Sequence, residues 1–359
     1  MRRITITPEI EALADQFKVQ MLYKSPDDHD GAVSKVCANL KYLREKLDSG
    51  DIVPMVGDVD YDSYIKRIED NYLTLLTMHP NKFNEEFGVF NHIVEENHLS
   101  EFFEIKKVDR QGNVLGKSYK KKFYELIVWA MRYDYVQGTV FPDYIRELGI
   151  RTCVYCNSQY AITTRGNNSF YQLDHCFPKS KYPFLATNFF NLQPSCGSCN
   201  QRKSNEDMQK GKYNVSIWKE PDDKQESYFD FHIEDGSLAA YMTEPKRDKL
   251  DIQVIPTKKG DADLNELLDL LEQKFKTTEV YREHREEVEE VIWKKYIYTN
   301  TYVDSLQKAF NTKFLDRKGE LKRLLLGTYT DTKDVYKRPL TKMIQDVAKQ
   351  LKIDTLIGK

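Results

Sequence analysis

The sequence FYQLDHCFPKS, residues 170–180, runs from aromatic and aliphatic side chains into an aspartate, a histidine and then a proline. An apolar run of this kind predicts a β-strand, and Pro178 favours its ending close behind the two polar residues. Asp174 and His175 are adjacent, so on a regular strand their side chains would point to opposite faces. For both side chains to serve one site, the strand must therefore end or twist here.

A second strand and a helix are predicted downstream of this stretch. Residues 191–195, NLQPS, are a short strand candidate, and residues 196–203, CGSCNQRK, open a helix with Asn200 in its first turn. The predicted order is strand, long loop, strand, helix.

Two Cys-x-x-Cys pairs frame the same segment, Cys153 with Cys156 and Cys196 with Cys199. Four thiolates around a tetrahedral zinc ion make a closed, structural site with no position left for a substrate. Two other interpretations are a redox dithiol and four unrelated buried cysteines. The matched spacing of the two pairs favours structural Zn²⁺. Residues 157–195 exceed the usual gap of a zinc ribbon, which indicates an insertion between its halves.

These elements together resemble the HNH endonucleases, whose ββα-metal module carries Asp-His, a central Asn, and a His or Asn on the helix. Zinc-bound members of that family also have Cys-x-x-Cys before the first strand and Cys-x-x-Cys-Asn-x-x-Lys at the helix. Asp174 and His175, then Asn191, then Asn200 and Lys203 fall on this pattern in order. The third signature position is Asn rather than His, a variation also found among active members. The resemblance covers about residues 151–205.

The residue types suit phosphodiester hydrolysis. His175 can accept a proton from water near neutral pH and is the expected general base. Asp174 and Asn200 offer carboxylate and amide oxygens, the ligands of a catalytic Mg²⁺ or Mn²⁺. The resemblance implies that Asn191 holds the loop and orients His175, with Asn188 as a rival for this central position.

Basic residues are concentrated around the predicted site. Segment 151–213 holds eight basic and three acidic residues, inside a chain whose net charge is -2. Such a local excess is what phosphate binding requires. The residues expected to contact nucleic-acid phosphate are Arg202, Lys203, Lys179 and Lys181.

The flanking regions are predicted to be mostly helical. Residues 1–150 are expected to form helices with a small hairpin near 102–114, and a further helix from Gly116 that opens with lysines 117, 120, 121 and 122. Those lysines either extend the basic surface or are a solvated helix end. Residues 214–359 are expected to form a hairpin, turning at 234–237, and then helices. The predicted fold class is mainly α (α+β), with the zinc-bound HNH module of residues 151–213 between the two flanks.

The composition excludes several classes of protein but does not identify the function. Hydrophobic residues make up 40% and charged residues 31%, which excludes a disordered or membrane-embedded chain. Six cysteines in 359 residues are too few for a disulfide scaffold, and Cys37 and Cys176 are expected simply to pack. The N-terminal sequence lacks the apolar segment of a secretory signal, and the apolar run at 126–131 is too short for a membrane span. We therefore expect a cytoplasmic protein with no membrane partner.

Two functions from different classes follow. The first is a metal-dependent HNH endonuclease that acts on nucleic acid, with DNA favoured over RNA. HNH proteins with large helical flanks often occur beside an ATPase in bacterial antiphage systems such as the Septu type, so the resemblance implies a defence effector with an ATPase partner. The chain itself contains no Gly-x-x-x-x-Gly-Lys-Ser/Thr motif. The second function is a non-catalytic, zinc-stabilised module that binds nucleic acid or protein.

Overall fold

The computed structural model describes residues 1–22, 32–57, 59–108, 114–164, 166, 168–309 and 320–353. Helices dominate these residues and the sheets are small, so the predicted mainly α (α+β) class is confirmed. No helix in these ranges is both long and apolar enough to cross a membrane.

The N-terminal region packs helices against a three-stranded antiparallel sheet, in which the strand at 102–108 lies between those at 52–54 and 114–122. Helix α3 begins where the Asp60 side chain accepts a hydrogen bond from the Ser63 amide, at 3.0 Å. Its buried Tyr61 and Tyr64 contact Phe123 at the start of α5, with ring centroids 4.6 and 5.5 Å away. The elements are β1 (Ile4–Thr5), α1 (Pro8–Leu22), α2 (Ala32–Asp48), β2 (Ile52–Pro54), α3 (Tyr61–Leu76), α4 (Phe83–Ile93), β3 (Phe102–Val108), β4 (Val114–Lys122), α5 (Phe123–Ala130), α6 (Tyr133–Tyr135) and α7 (Phe141–Glu147).

The hairpin predicted near 102–114 is present but longer, and this corrects the helix expected from Gly116. Strands β3 and β4 pair from Phe102 opposite Lys122 to Val108 opposite Val114. The lysine cluster at 117–122 therefore lies on a strand. Helix α5 begins only at Phe123, because the Glu125 carboxylate accepts the Lys122 amide at 3.0 Å and caps the helix there. The predicted turn at 109–113 lies outside the described residues.

The central region has the predicted order of strand, long loop, strand, helix. Strands β7 and β8 pair antiparallel, with Asp174 opposite Gln193 and His175 opposite Leu192, and α8 follows directly. The elements are β5 (Ile162–Thr163), β6 (Ser169–Phe170), β7 (Gln172–His175), β8 (Leu192–Ser195) and α8 (Gly197–Lys203).

The prediction of a hairpin that turns at 234–237 is wrong. The Glu234 side chain accepts a hydrogen bond from the Ser237 amide and starts a helix instead, so the strand at 229–233 pairs with one at 252–256. The elements beyond residue 208 are β9 (Gln209–Lys210), β10 (Tyr213–Asn214), β11 (Trp218–Lys219), β12 (Phe229–Ile233), α9 (Asp235–Thr243), β13 (Ile252–Pro256), α10 (Ala262–Phe275), α11 (Thr277–Arg282), α12 (Arg285–Ile297), α13 (Asn300–Ala309), α14 (Glu320–Leu326) and α15 (Thr341–Gln350).

Long-range contacts embed the central region between the flanks. Strand β1 pairs in parallel with β11, with Ile4 opposite Trp218. Phe189 lies in the core between Phe17 and Phe141, each ring centroid 5.6 Å away. Buried side chains of all three predicted segments form one hydrophobic core. The division at 150 and 213 thus remains a prediction, while the site itself rests on packing from both sides.

Candidate functional site

Asp174 and His175 lie at the end of β7, which stops at His175. Both side chains are buried, with 7% and 5% of their surface exposed, and both line one groove of about 350 Å³. Asn200 of α8 and Lys179 of the intervening loop line the same groove. Three of the residues predicted to be catalytic are therefore brought together, while Asn191 lies behind them.

His175 is held with one ring nitrogen occupied. Its Nε2 lies 2.9 Å from the carbonyl oxygen of Ala186. A carbonyl can only accept, so Nε2 carries the proton, and in the neutral ring Nδ1 keeps its lone pair. Burial, and next the nearby Lys179, lower the pKa of His175 to about 3, so the imidazole is neutral at neutral pH. The Tyr133 ring packs 4.6 Å away, centroid to centroid. The geometry fits a positioned proton acceptor.

Asp174 uses one carboxylate oxygen to hold the surrounding structure. Its Oδ2 accepts a hydrogen bond from the Tyr155 hydroxyl and lies 3.2 Å from the Lys203 ammonium. Burial raises the pKa of the carboxyl group, and the charge of Lys203 and the hydrogen bond from Tyr155 oppose that shift. The Tyr155 hydroxyl in turn accepts from Gln193 Nε2 at 2.8 Å. The Tyr155 hydroxyl and the Lys203 ammonium both contact Oδ2, so neither of them occupies Oδ1.

Lys203 is an ion-pair partner rather than a surface charge. It is fully buried, and its Nζ also donates to the His175 carbonyl oxygen at 2.7 Å. The sequence analysis expects Lys203 to contact phosphate. In the structure its ammonium group is engaged by Asp174 and by the His175 backbone. It neutralises a carboxylate in the floor of the groove.

Asn200 is oriented by a neighbour that the sequence analysis did not single out. Its Nδ2 donates to Gln172 Oε1 at 2.6 Å, which leaves the amide oxygen as a separate acceptor. Gln172 precedes Asp174 by two positions on β7 and also lines the groove. The alternation of a strand places residues two apart on one face, and that signal could have identified it.

Asn191 and Asn188 share the support of the loop between the strands. Asn191 is completely buried, and its amide bonds both the N–H and the carbonyl of Phe177, at 2.8 and 3.1 Å. It also donates to the Leu185 carbonyl at 3.2 Å, one residue before the carbonyl that holds His175. Asn188 accepts from the Asn191 amide at 2.9 Å and donates to the Leu75 carbonyl at the end of α3. The two asparagines thus have linked structural roles.

The other three basic residues predicted to contact phosphate differ in whether another side chain already engages their charge. Lys179 lies over the Tyr133 ring, 4.4 Å from its centroid, at the edge of the groove. Lys181 is paired with Glu96 at 2.8 Å. Arg202 is exposed on α8 and has no ion pair among the described residues. Of these three residues, Lys181 alone has an ion pair within the described part of the chain.

Tyr133, Tyr155 and Gln193 are site residues that the sequence analysis missed. Tyr133 packs on His175 and Lys179 from a distant part of the chain, and no local signal marks it. Tyr155 lies between Cys153 and Cys156, and the sequence analysis considered only the two cysteines of this motif. Gln193 lies opposite Asp174 in the strand pair, and its side chain donates to the Tyr155 hydroxyl.

The four cysteines form one cluster. The sulfur atoms of Cys153, Cys156, Cys196 and Cys199 lie within 4.8 Å of one another. Sulfur ligands about 2.3 Å from a tetrahedral zinc ion would lie about 3.8 Å apart, which is inside this limit, so the donor set fits zinc. The Val154 amide donates to the Pro194 carbonyl at 3.2 Å and joins the two halves of the cluster.

The first cysteine pair is also tied to the C-terminal region. Asn157 has a φ of +51° and accepts the Leu340 amide at 2.7 Å with its carbonyl. Its side chain bonds the Val335 carbonyl at 3.1 Å and the Lys342 amide at 3.1 Å. The cluster therefore joins the strand pair to the helical flank.

Comparison with known proteins agrees with this geometry. Residues 153–206 match the HNH endonuclease family, so this part of the chain is an HNH domain. The chain is similar to the Septu protein PtuB of Bacillus thuringiensis, with 34% identity over 64 residues, 18% of this chain and 23% of that protein. The match thus spans less than a quarter of the relative's length. No solved structure matches the chain significantly.

Proposed function

We propose that the chain is a metal-dependent endonuclease that hydrolyses phosphodiester bonds, in DNA rather than RNA. The observation that carries the proposal is the shared groove, which the imidazole of His175, the carboxylate of Asp174 and the amide of Asn200 line together. The match of residues 153–206 to the HNH endonucleases supports the same chemistry.

In this proposal each residue has a defined role. His175 Nδ1 accepts the proton of the attacking water, while the Ala186 carbonyl keeps Nε2 protonated. Asp174 Oδ1 and the Asn200 amide oxygen hold Mg²⁺ or Mn²⁺, whose charge stabilises the developing charge on phosphate and on the leaving oxygen. Lys179 and Arg202 bind flanking phosphates. The cysteine cluster binds structural Zn²⁺ and keeps α8 against the strands.

The decisive experiment is cleavage of plasmid DNA and of RNA by full-length protein with Mg²⁺ or Mn²⁺. Changing His175 to Ala removes the general base and should lower the rate about 10²- to 10⁴-fold, with unchanged zinc content and circular dichroism. His92→Ala, an exposed histidine on α4, is the matched control and should cut like the parent. Cleavage by His175→Ala at the parental rate would exclude the proposed base.

A second candidate, a zinc-stabilised binding module, is favoured by one observation. The buried Lys203 ammonium already neutralises Asp174, so this carboxylate has a cation without a metal. A module of this kind would retard DNA or RNA in a gel and nick neither with any divalent ion.

The similarity to the Septu protein PtuB supports a role as the effector of a bacterial antiphage system, acting in the cytoplasm with an ATPase partner. The first test is whether the gene next to the one that encodes this chain encodes an ATPase. If it encodes an ATPase, the two proteins should co-purify when expressed together, and loss of either His175 or the ATPase should remove protection against phage. Full protection by the chain alone would contradict the need for a partner.

A further inference from the structure

A second, larger cleft opens beside the nuclease groove. It has a volume of about 750 Å³ and lies between α2, the β3–β4 hairpin and α5. Tyr133 and Lys179 line both this cleft and the groove that contains Asp174 and His175. The walls of the two spaces therefore share a tyrosine and a lysine.

Two aromatic side chains on the cleft wall are unusually exposed. Trp129 of α5 is 53% exposed and Tyr42 of α2 is 46% exposed, with their ring centroids 6.3 Å apart. The Lys46 ammonium lies 5.6 Å from the centroid of the Tyr42 ring. Aromatic faces accompanied by cations are the surfaces on which unpaired nucleobases stack.

The charges of the cleft also favour a phosphate backbone. Five basic and three acidic side chains line it. Two of the acids are engaged, since Asp51 pairs with Lys46 at 2.7 Å and Glu125 caps α5. Lys121 is exposed and has no ion pair within the described part of the chain. The net charge available to a ligand is therefore positive.

Arg132 adds a further cation to the wall of the cleft. Its backbone is left-handed, with a φ of +58°, a strained conformation for a residue with a side chain. The Nη1 atom of its guanidinium group is buried and makes no hydrogen bond among the described residues, although Arg132 lines the cleft. A buried N–H donor without an acceptor is rare in native proteins, and a phosphate or a base edge could supply the acceptor only if the guanidinium group turned toward the cleft.

We propose that the cleft binds an unpaired stretch of the substrate strand next to the scissile phosphate, with bases stacked on Trp129 and Tyr42. This inference rests on the proposed nuclease function and specifies its substrate: a nucleic acid with a single-stranded segment beside the cut. A continuous duplex buries the faces of its bases in its own stack and cannot use these rings. A free nucleotide has the same chemistry, but the connection through Lys179 and Tyr133 favours a strand that also passes the nuclease groove.

The test measures binding of full-length protein, without added Mg²⁺ or Mn²⁺, to three probes. They are a DNA duplex with a single-stranded oligothymidylate tail, the same duplex with blunt ends, and thymidine monophosphate. The variants are Trp129→Ala, Trp129→Phe, which keeps a ring, and Trp293→Ala as the control. Trp293 is 50% exposed on α12, away from the cleft.

Trp129→Ala should weaken binding of the tailed duplex on the order of 10-fold and leave the blunt duplex unchanged. Trp129→Phe should recover most of the affinity, and Trp293→Ala should equal the parent. Parental binding of the tailed duplex by Trp129→Ala, or equal loss on both duplexes, would overturn the inference. Trp129-dependent binding of the mononucleotide alone would assign the cleft to a free nucleotide and overturn it as well.

Failure of the underlying function gives a different result. If the parent protein neither binds nor cuts any nucleic acid, the nuclease proposal and this inference fall together. If the parent cuts DNA while Trp129→Ala behaves like Trp293→Ala, only the inference fails.

Discussion

The cysteine cluster and the groove both include residues of α8, yet their donor atoms differ in kind and in spacing. The cluster gathers four donors of one kind within 4.8 Å, three of them on buried cysteines. The groove spreads two oxygen donors, from Asp174 and Asn200, along a space of about 350 Å³. One carboxylate oxygen there is already balanced by a buried lysine. We infer that a metal ion in the cluster stabilises the fold and stays bound, whereas a metal ion in the groove can exchange with ions in solution.

The largest expected effect is on the cluster. Changing Cys199 to Ala removes one of four sulfur donors and should abolish stoichiometric zinc binding. Since a structural zinc ion contributes on the order of 10 kcal/mol to folding, the variant should unfold or aggregate. Zinc content by elemental analysis and melting by circular dichroism measure this. Cys37→Ala, on α2 and outside the cluster, is the control. A folded, active Cys199→Ala protein would refute a structural zinc site.

The next effect concerns the lysine that balances the groove. Changing Lys203 to Met leaves the Asp174 carboxylate buried without its cation and should lower the free energy of unfolding by about 3–5 kcal/mol. Mg²⁺ or Mn²⁺ should restore part of the loss if it binds Asp174, and urea titrations with and without metal measure that recovery.

Arg202→Met, at the exposed neighbouring position, is the control for the loss of a charge on α8. It should leave the free energy of unfolding within about 0.5 kcal/mol of the parent. If Lys203→Met were destabilised no more than Arg202→Met, the buried ion pair would not contribute to folding, and the contrast between the two sites would fail.

A smaller effect is expected at the loop support. Asn191→Ala removes bonds to the Phe177 and Leu185 backbone and leaves buried groups unpaired, which should cost about 1–3 kcal/mol. Because the adjacent Ala186 carbonyl orients His175, the rate of cleavage should fall while zinc content stays constant. Asn188→Ala breaks the contact with α3 but not those with Phe177. We expect it to lower stability with a smaller effect on rate, and the reverse order would make Asn188 the central asparagine.

The sequence was informative where chemistry is local. The cysteine spacing predicted a cluster that the structure contains, and the run into Asp174 and His175 predicted a strand that ends at His175. Contacts between distant residues had no such signal. Tyr133 reaches His175 across the fold, and the burial of Lys203 depends on Asp174, which lies on another element.

The two wrong predictions in the flanks, the hairpin turning at 234–237 and the helix from Gly116, arose because the local sequence fits more than one structure. Residues 234–237 have the composition of a turn, but the Glu234 carboxylate can also cap a helix, and the partner strand at 252–256 decides between the two. The lysines at 117–122 suit an exposed strand as well as a helix end. In that case the choice is made by pairing with β3 and by the Glu125 cap.

The parallel pairing of β1 with β11 has a consequence for synthesis. Ile4 finds its partner only when Trp218 has been made, and the isolated bridge between Arg2 and Ser227 needs a few residues more. Contacts this distant in sequence are slow to form and close the core late. A nascent chain therefore emerges with β1 unpaired, and the HNH segment is already outside the ribosome before that pairing forms. The order of translation thus delays complete assembly of the core around the HNH domain until most of the polypeptide exists.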